Sequence, residues 1–278
     1  MKPNEPSRTA LMVARQRAAH QLIDHGAILN DPYAVRILGE PEDNVLQAFS
    51  NHPMASVGRL FTAARSRIAE DALSKAVERG VRQVVILGAG LDTFALRNPH
   101  VARIRIFEVD HPATQAWKRQ RLVAAEVAPP PWLTFVPVDF ELDDLRQKLS
   151  GAGFERTAAA FFTWLGVVPY LTRDAVEGTL GYIASIPNSE VVFDYAEPPE
   201  SWSEEVQAYA AARMAQLEKI NEQQVGRFEP AGVAAILRSQ GFEDVEDIRF
   251  QEVVSRFGRD VQGLGTGQAG VHVVHAKH

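Results

Sequence analysis

Residues Val84–Arg97, VVILGAGLDTFALR, decide the fold. Four apolar residues run into the turn Gly88-Ala89-Gly90, and a helix-compatible stretch follows. Strand, glycine turn and helix in this order make a nucleotide-binding element, because a backbone without Cβ atoms lets a ligand come close. The glycines alone leave the nucleotide open, since dehydrogenases, flavoproteins and enzymes that use methyl donors all carry such a turn.

Outward from this element the pattern repeats. The β-rich runs QVVIL, RIRIFEV, LTFVPV, AAAFFTWL and EVVFDY alternate with helix-compatible segments at Leu91–Arg97, Pro112–Glu126, Glu141–Leu149 and Arg173–Ile186. That alternation predicts an α/β fold: a Rossmann-like, mostly parallel sheet of seven strands with helices on both faces. Continuous apolar strands such as Val84–Leu87 belong where both faces are covered. A polar helical stretch, 200–222, reads as an insertion. In EPAGVAAILRSQGFEDVE, Pro230 suits a helix's first turn and Gly241 its end. The final GVHVVHA reads as an antiparallel last strand, closing a hairpin with Val245–Val254. Residues 1–80 differ in character: Thr9–Leu29 and Leu60–Gly80 are Ala-rich and amphipathic. They predict an N-terminal helical cap or lid, with the sheet domain spanning 81–278.

Composition narrows the function classes. The chain has 278 residues, 29 Lys+Arg against 35 Asp+Glu, and a formal charge of -6, which argues against a general nucleic-acid binder. No apolar run reaches the roughly 20 residues that span a bilayer, and MKPNEPSRTA has no signal-peptide core. No cysteine is present, which excludes disulfides, thiolate metal sites and cysteine nucleophiles. The expectation is a cytoplasmic protein.

Three features bear on the nucleotide. A dinucleotide fingerprint needs a third glycine at the sixth position of the turn, where this chain has Thr93. A full G-x-G-x-x-G does occur at 265–270, but only eight residues follow it, too few for the helix and strand it requires. Second, RIFEVDHP places Glu108 and Asp110 at a strand's end, about twenty residues on, where an acid holds ribose hydroxyls. Ribose is common to NAD and S-adenosylmethionine, so these acids do not separate the two. Third, FVPVDFE puts Asp139 after another strand, placed to accept from an adenine amine. This last pattern favours S-adenosylmethionine.

The motifs LGAGLDTFALR, FEVDHPATQAWKRQRL, VPVDFE and FTWLGVVPYLT together resemble the leucine carboxyl methyltransferase-like class I methyltransferases, most closely the bacterial branch that includes polyketide O-methyltransferases. The likeness runs from DPYAVRIL to the last strand, and it speaks to fold and cofactor, not to the methyl acceptor. It implies S-adenosyl-L-methionine as cofactor. It places Gly88 and Gly90 against the methionine part and ribose, Asp110 on the ribose with Glu108 beside it, and Asp139 and Phe140 around the adenine. It gives Arg65 the cofactor's carboxylate, a role that suits a planar guanidinium fork. A solvated helix-face charge is the other reading of Arg65, and Arg67 is its rival. One departure stands out: many relatives carry a glutamate before G-x-x-x-Y-L, and this chain has Leu165 there.

The resemblance implies transfer of a methyl group to oxygen, a carboxylate or phenolic hydroxyl of a small molecule. A carboxylate is ionised at neutral pH, with a pKa of about 4, and needs no base. A phenol, near ~10, would benefit from one, and no catalytic residue is singled out. Candidate acceptor contacts are Arg17, His20, Trp164, Tyr170 and Tyr195, with Asp194 ending the fifth strand; packing is the alternative role for each aromatic. In HVVHAKH, a strand turns His272 and His275 to opposite faces, so no metal site is expected. Two other functions stay open, a nicotinamide-dependent dehydrogenase and a cofactor-binding regulatory or assembly protein without turnover.

Overall fold

The computed structural model describes residues 7–50, 53–140, 142–204, 206–208, 211, 224–259 and 270–278. Its sheet has seven strands: β1 Gln83–Leu87, β2 Arg105–Asp110, β3 Leu133–Pro137, β4 Ala160–Trp164, β5 Glu190–Ala196, β6 Asp244–Arg249 and β7 Val271–Lys277. Their order is β3-β2-β1-β4-β5-β7-β6. Strands β1 to β5 pair in parallel, and β7 runs antiparallel between β5 and β6. The chain steps outward from β1 to β3 and then returns to β4, so the order reverses between β1 and β4. At such a switch point the loops diverge and leave a crevice outside the strands' carboxyl ends.

Helices cover both faces because the central strands are apolar throughout. Every residue of β1 and of β5 is buried. On one face lie α4 (Pro53–Glu78) and α10 (Phe250–Ser255), sharing a core with Val84, Ile86 and Ile106. On the other lie α7 (Leu145–Gly151), α8 (Arg173–Ala184) and α9 (Pro230–Ser239), packed on Val85, Leu87 and Phe162. A smaller core joins α1 (Arg8–Asp24), α2 (Ala34–Leu38) and α3 (Glu42–Ser50) to Leu91 and to Leu122 of α6 (Pro112–Ala124).

The sheet and most elements lie where the sequence puts them; three details differ. The run Val245–Val254 is not one strand: β6 ends at Arg249 and α10 follows. Phe250, Val253 and Val254 fall at helical spacing and are buried, and Phe250 packs on Phe61 of α4 with ring centroids 5.4 Å apart. Helical periodicity therefore wins over β-propensity there. The helix after the glycine turn, α5 (Phe94–Arg97), is only four residues long. Helix α7 begins at Leu145, after Asp144, whose side chain caps Arg146 N and Gln147 N. Most of the 205–222 stretch and residues 265–269 of the second glycine motif lie outside the described residues.

Candidate active site

The turn after β1 is fastened to β2. Gly88 N and Ala89 N both donate to Val109 O, at 2.9 and 3.1 Å. Gly90 N donates to Asp110 Oδ2 at 2.5 Å, and His111 N donates to Asp110 Oδ1 at 2.7 Å. Both glycines are in the left-handed region, with φ +67° at Gly88 and +50° at Gly90. A Cβ at Gly88 would lie 2.4 Å from Val167 Cγ2, and one at Gly90 3.1 Å from Ala10 Cβ. Only glycine fits this narrow gap between two loops and α1.

Around the turn lies a cavity of about 330 Å³, at the switch point between β1 and β4. Its floor is Gly88 to Asp92, one wall is Asp110, His111 and Phe140, and the other is Leu165 to Val167 with Tyr170. Helix α1 roofs it through Ala10, Val13, Ala14 and Arg17, and α4 contributes Arg65 and Ser66. Ser7, the N-cap of α1, donates through its backbone N to Thr114 Oγ1 at 3.2 Å, so the roof is tied to α6.

The polar groups divide into those facing the cavity and those behind it. Burial raises the Asp110 carboxyl above its ordinary range, although the Gly90 and His111 amides act against that shift. Each carboxylate oxygen has two acceptor sites, so Asp110 can still accept from a ligand. Glu108, two residues back, does not line the cavity. It is fully buried against Lys118 Nζ at 2.5 Å, and burial pushes its carboxyl up to about 7 against the pull of Lys118. Asp139 also stands behind the wall, 3.7 Å from Nε2 of the cavity-lining His111, while Phe140 is half exposed beside it.

The two arginines are both buried. Arg65 Nη1 donates to Asp194 Oδ2 at 2.7 Å, and its guanidinium lies 5.7 Å from the Phe61 ring centre. Its rival Arg67 is exposed, pairs with Asp71 one turn along and does not line the cavity. Arg17 Nη2 donates to Asp31 Oδ2 at 2.9 Å and to Thr93 Oγ1 at 2.6 Å, and Nη1 lies 3.4 Å from Asp92 Oδ2. The Nε atoms of Arg17 and Arg65 are buried and have no protein acceptor. Thr93 explains its own departure from the dinucleotide pattern. Its hydroxyl donates to Asp31 at 2.5 Å and accepts from Arg17, linking cap to turn. With only a four-residue helix behind it, no close helix–strand packing demands a third glycine.

Of the candidate acceptor contacts, the structure brings Arg17 and Tyr170 to the cavity and not His20, Trp164 or Tyr195. His20 is fully buried: Nδ1 pairs with Asp24 at 2.9 Å, and Nε2 accepts from Ile28 N and Leu29 N. The ring closes the loop after α1 and offers nothing to a substrate. Trp164 is buried in the core under α8. Tyr195 faces the far edge of the sheet, donating to Asp247 Oδ2 at 2.7 Å. The two histidines of the last strand are held by different acids: His272 bonds Asp247 and Glu197, whereas His275 bonds Glu190. Among the described residues no His, Asp and Glu cluster is arranged for a metal ion.

Sequence reasoning missed His111, Asp92 and Val167, and it noted Asp194 only as the end of the fifth strand, whereas Asp194 lies inside β5 and holds Arg65. His111 carried a signal, since a histidine before Pro112 is an N-cap position at a strand's carboxyl end; its Nδ1 accepts from Ala113 N at 3.2 Å.

The residues present suit an adenosine carrying an amino acid. A glycine cradle that a Cβ would fill, the Asp110 carboxylate and a buried guanidinium whose Nε has no protein acceptor surround one cavity. Residues 10–184 match the sequence model of the leucine carboxyl methyltransferase family. The chain is 35% identical over 223 residues to "Putative S-adenosyl-L-methionine-dependent methyltransferase YktD" of Bacillus subtilis (strain 168), covering 71% of this chain and 73% of that protein. A protein of the same description from Mycolicibacterium paratuberculosis is 31% identical over 221 residues, 75% of this chain and 71% of its own. The fold resembles a solved Thermobifida fusca protein with a TM-score of 0.60 at 14% identity, covering 99% of this chain and 96% of that one. A DUF574 family protein from Streptomyces avermitilis gives 0.55 at 16% identity, covering 94% and 96%. No helix among the described residues is long and apolar enough to cross a membrane.

Proposed function

The chain belongs to the leucine carboxyl methyltransferase family, and from that premise we propose that it methylates oxygen, a carboxylate or phenolic hydroxyl of a small molecule, with S-adenosylmethionine as donor. The observation that carries this reading is the cavity at the β1/β4 switch point, where Gly88, Gly90, Asp110 and Arg65 converge. At about 330 Å³ it falls within the range of roughly 300–1,000 Å³ typical of small-molecule sites.

In this reading Asp110 accepts from the ribose hydroxyls, Phe140 flanks the adenine and Arg65 meets the donor's carboxylate. When bound there, the donor supplies a methyl group on a positively charged sulfur. The protein's own part is to hold an acceptor oxygen in line with that methyl and to keep water out, a proximity effect worth several orders of magnitude. Tyr170, whose hydroxyl accepts from Gln224 Nε2 at 3.2 Å, and the roof of α1 are the surfaces against which an acceptor is held. Leu165 presents an apolar side chain to this wall, so no carboxylate at that position competes with the acceptor. A cytoplasmic site of action belongs to the same proposal and agrees with a chain free of cysteine.

The test is a panel of small carboxylic acids and phenols incubated with a donor labelled in its methyl group. Label in a base-labile ester identifies a carboxylate acceptor, and label in a base-stable ether a phenol. Tight binding of S-adenosylhomocysteine with no label transferred to any acceptor would favour the non-turnover role. Micromolar binding of NAD with none of the methyl donor would defeat both.

A further inference from the structure

Asp194 does not touch the cavity, yet it holds two of its walls. It is 3% exposed and lies within β5, two residues short of the strand's end and next to Phe193, which pairs with Trp164 at the end of β4. One carboxylate oxygen, Oδ2, accepts from Arg65 Nη1 at 2.7 Å. The other, Oδ1, accepts from Gly166 N at 2.5 Å. Arg65 and Gly166 both line the cavity, from α4 and from the turn after β4. They also meet each other. Gly166 has φ +75°, and a Cβ there would stand 2.8 Å from Arg65 Nη2. The turn is thus shaped so that the guanidinium can pass across it.

From this geometry we propose that Asp194 is a positioning residue for the donor's amino-acid end. It grips one corner of the Arg65 fork through Nη1 and pins Gly166, leaving the rest of the fork, whose Nε has no protein acceptor, for a ligand carboxylate. The inference rests on the reading of Arg65 given above. A fork held at one corner is pre-organised, so a carboxylate meets it without the entropic cost of ordering a long side chain. Buried Asp194 also keeps the guanidinium from lying uncompensated in the apolar layer around Phe61 and Leu165, a costly arrangement for any charge.

The proposal separates two ligands that share an adenosine. S-adenosylhomocysteine has the amino-acid carboxylate, and 5′-methylthioadenosine has none. Calorimetry on Asp194→Asn is expected to show affinity for S-adenosylhomocysteine lowered by about tenfold or more, the loss of one charge-assisted contact, with affinity for 5′-methylthioadenosine unchanged. A merely structural role would lower both together, and that result, or no change in either, overturns the proposal. If Asp194→Asn does not fold, Gly166→Ala provides the same test without altering a charge. Its methyl group displaces the Arg65 fork, so it is expected to show the same selective loss, and equal affinities to wild type for both ligands overturn the proposal. A wild-type protein that binds neither ligand defeats the methyl-donor reading itself, whereas failure of the selectivity in a wild type that binds both defeats the role of Asp194 alone.

Discussion

Two ionic clusters near the carboxyl ends of the parallel strands are built differently. At the switch point, Arg65, paired with Asp194, and Arg17, paired with Asp31, both line a cavity, and the Nε of each arginine has no protein acceptor. At the far edge, His272 is stacked on Tyr195 with centroids 4.7 Å apart, and both of its ring nitrogens are bonded, to Asp247 and to Glu197, each at 2.7 Å. Tyr195 completes that cluster through Asp247. A buried donor without an acceptor costs about 1–3 kcal/mol. A fold carries such a cost where something else supplies the partner, and the edge cluster needs nothing further. The first cluster is built to receive a ligand, and the second to hold strands together.

The sharpest way to break this contrast is Arg65→Ala. It leaves Asp194 buried without its cation, and removing one partner of a buried pair costs about 3–5 kcal/mol. Chemical denaturation is expected to show that loss, and calorimetry a parallel loss of S-adenosylhomocysteine binding. Wild-type affinity in the folded variant would show that Arg65 serves the fold alone. Asp110→Ala is the next test. It removes an acceptor for a ligand and one for Gly90 N, with an expected binding loss of about 1.5–3 kcal/mol. If affinity is retained, Asp110 only orders the turn.

Much of this arrangement could be read from residues whose type is dictated by local geometry. The left-handed turn needed glycine at 88 and 90, and buried strands needed unbroken apolar runs, so both left a pattern in the chain. Arg65 could be named from its chemistry, but its holder could not. Asp194 lies 129 residues away and meets Arg65 only where α4 packs on the sheet. Glu108 shows the converse limit. It has the spacing of a ribose ligand, but Lys118 of α6 reaches it first, and no periodicity announces a tertiary contact. Trp164 and Tyr195 failed as acceptor contacts for a similar reason: an aromatic near a strand's end points into the core or away from it according to register.

The edge cluster makes a pH prediction. Burial disfavours a charged His272 ring, but the bonds to Asp247 and Glu197 outweigh it and raise its pKa above the usual imidazole value. A group raised on folding contributes stability that is complete below its unfolded pKa, about 6.5. That contribution fades as pH rises through the higher folded value. His272→Gln is therefore expected to cost about 1–3 kcal/mol in mild acid, with the deficit shrinking in alkaline solution. Glu108, pushed up to about 7, titrates in both proteins and cancels in the difference. Ligand affinity is expected to stay unchanged. A deficit that grows with pH would mean the ring is neutral in the folded protein, and a change in ligand affinity would erase the distinction between the two clusters.

The smallest expected effect separates α1 from α4. Helix α4 is embedded in the sheet's own core through residues such as Ala64, Leu73 and Val77. Helix α1 lies over the cavity, packs on a smaller core, and has its first turn tied to α6 by the Ser7–Thr114 bond. The expectation is that a donor enters past α1 and that this helix opens and closes. Local opening of a lightly anchored segment is what amide exchange detects. With saturating S-adenosylhomocysteine, exchange is expected to slow over residues 8–17, while α4 and β7 change little because their protection already comes from the core. Equal exchange in α1 with and without ligand would make the helix a fixed roof and require entry past Phe140, the half-exposed side of the cavity. Slowing spread equally over α1, α4 and β7 would instead signal global stabilisation by binding, and the division between a mobile receiving cluster and a fixed edge would fall.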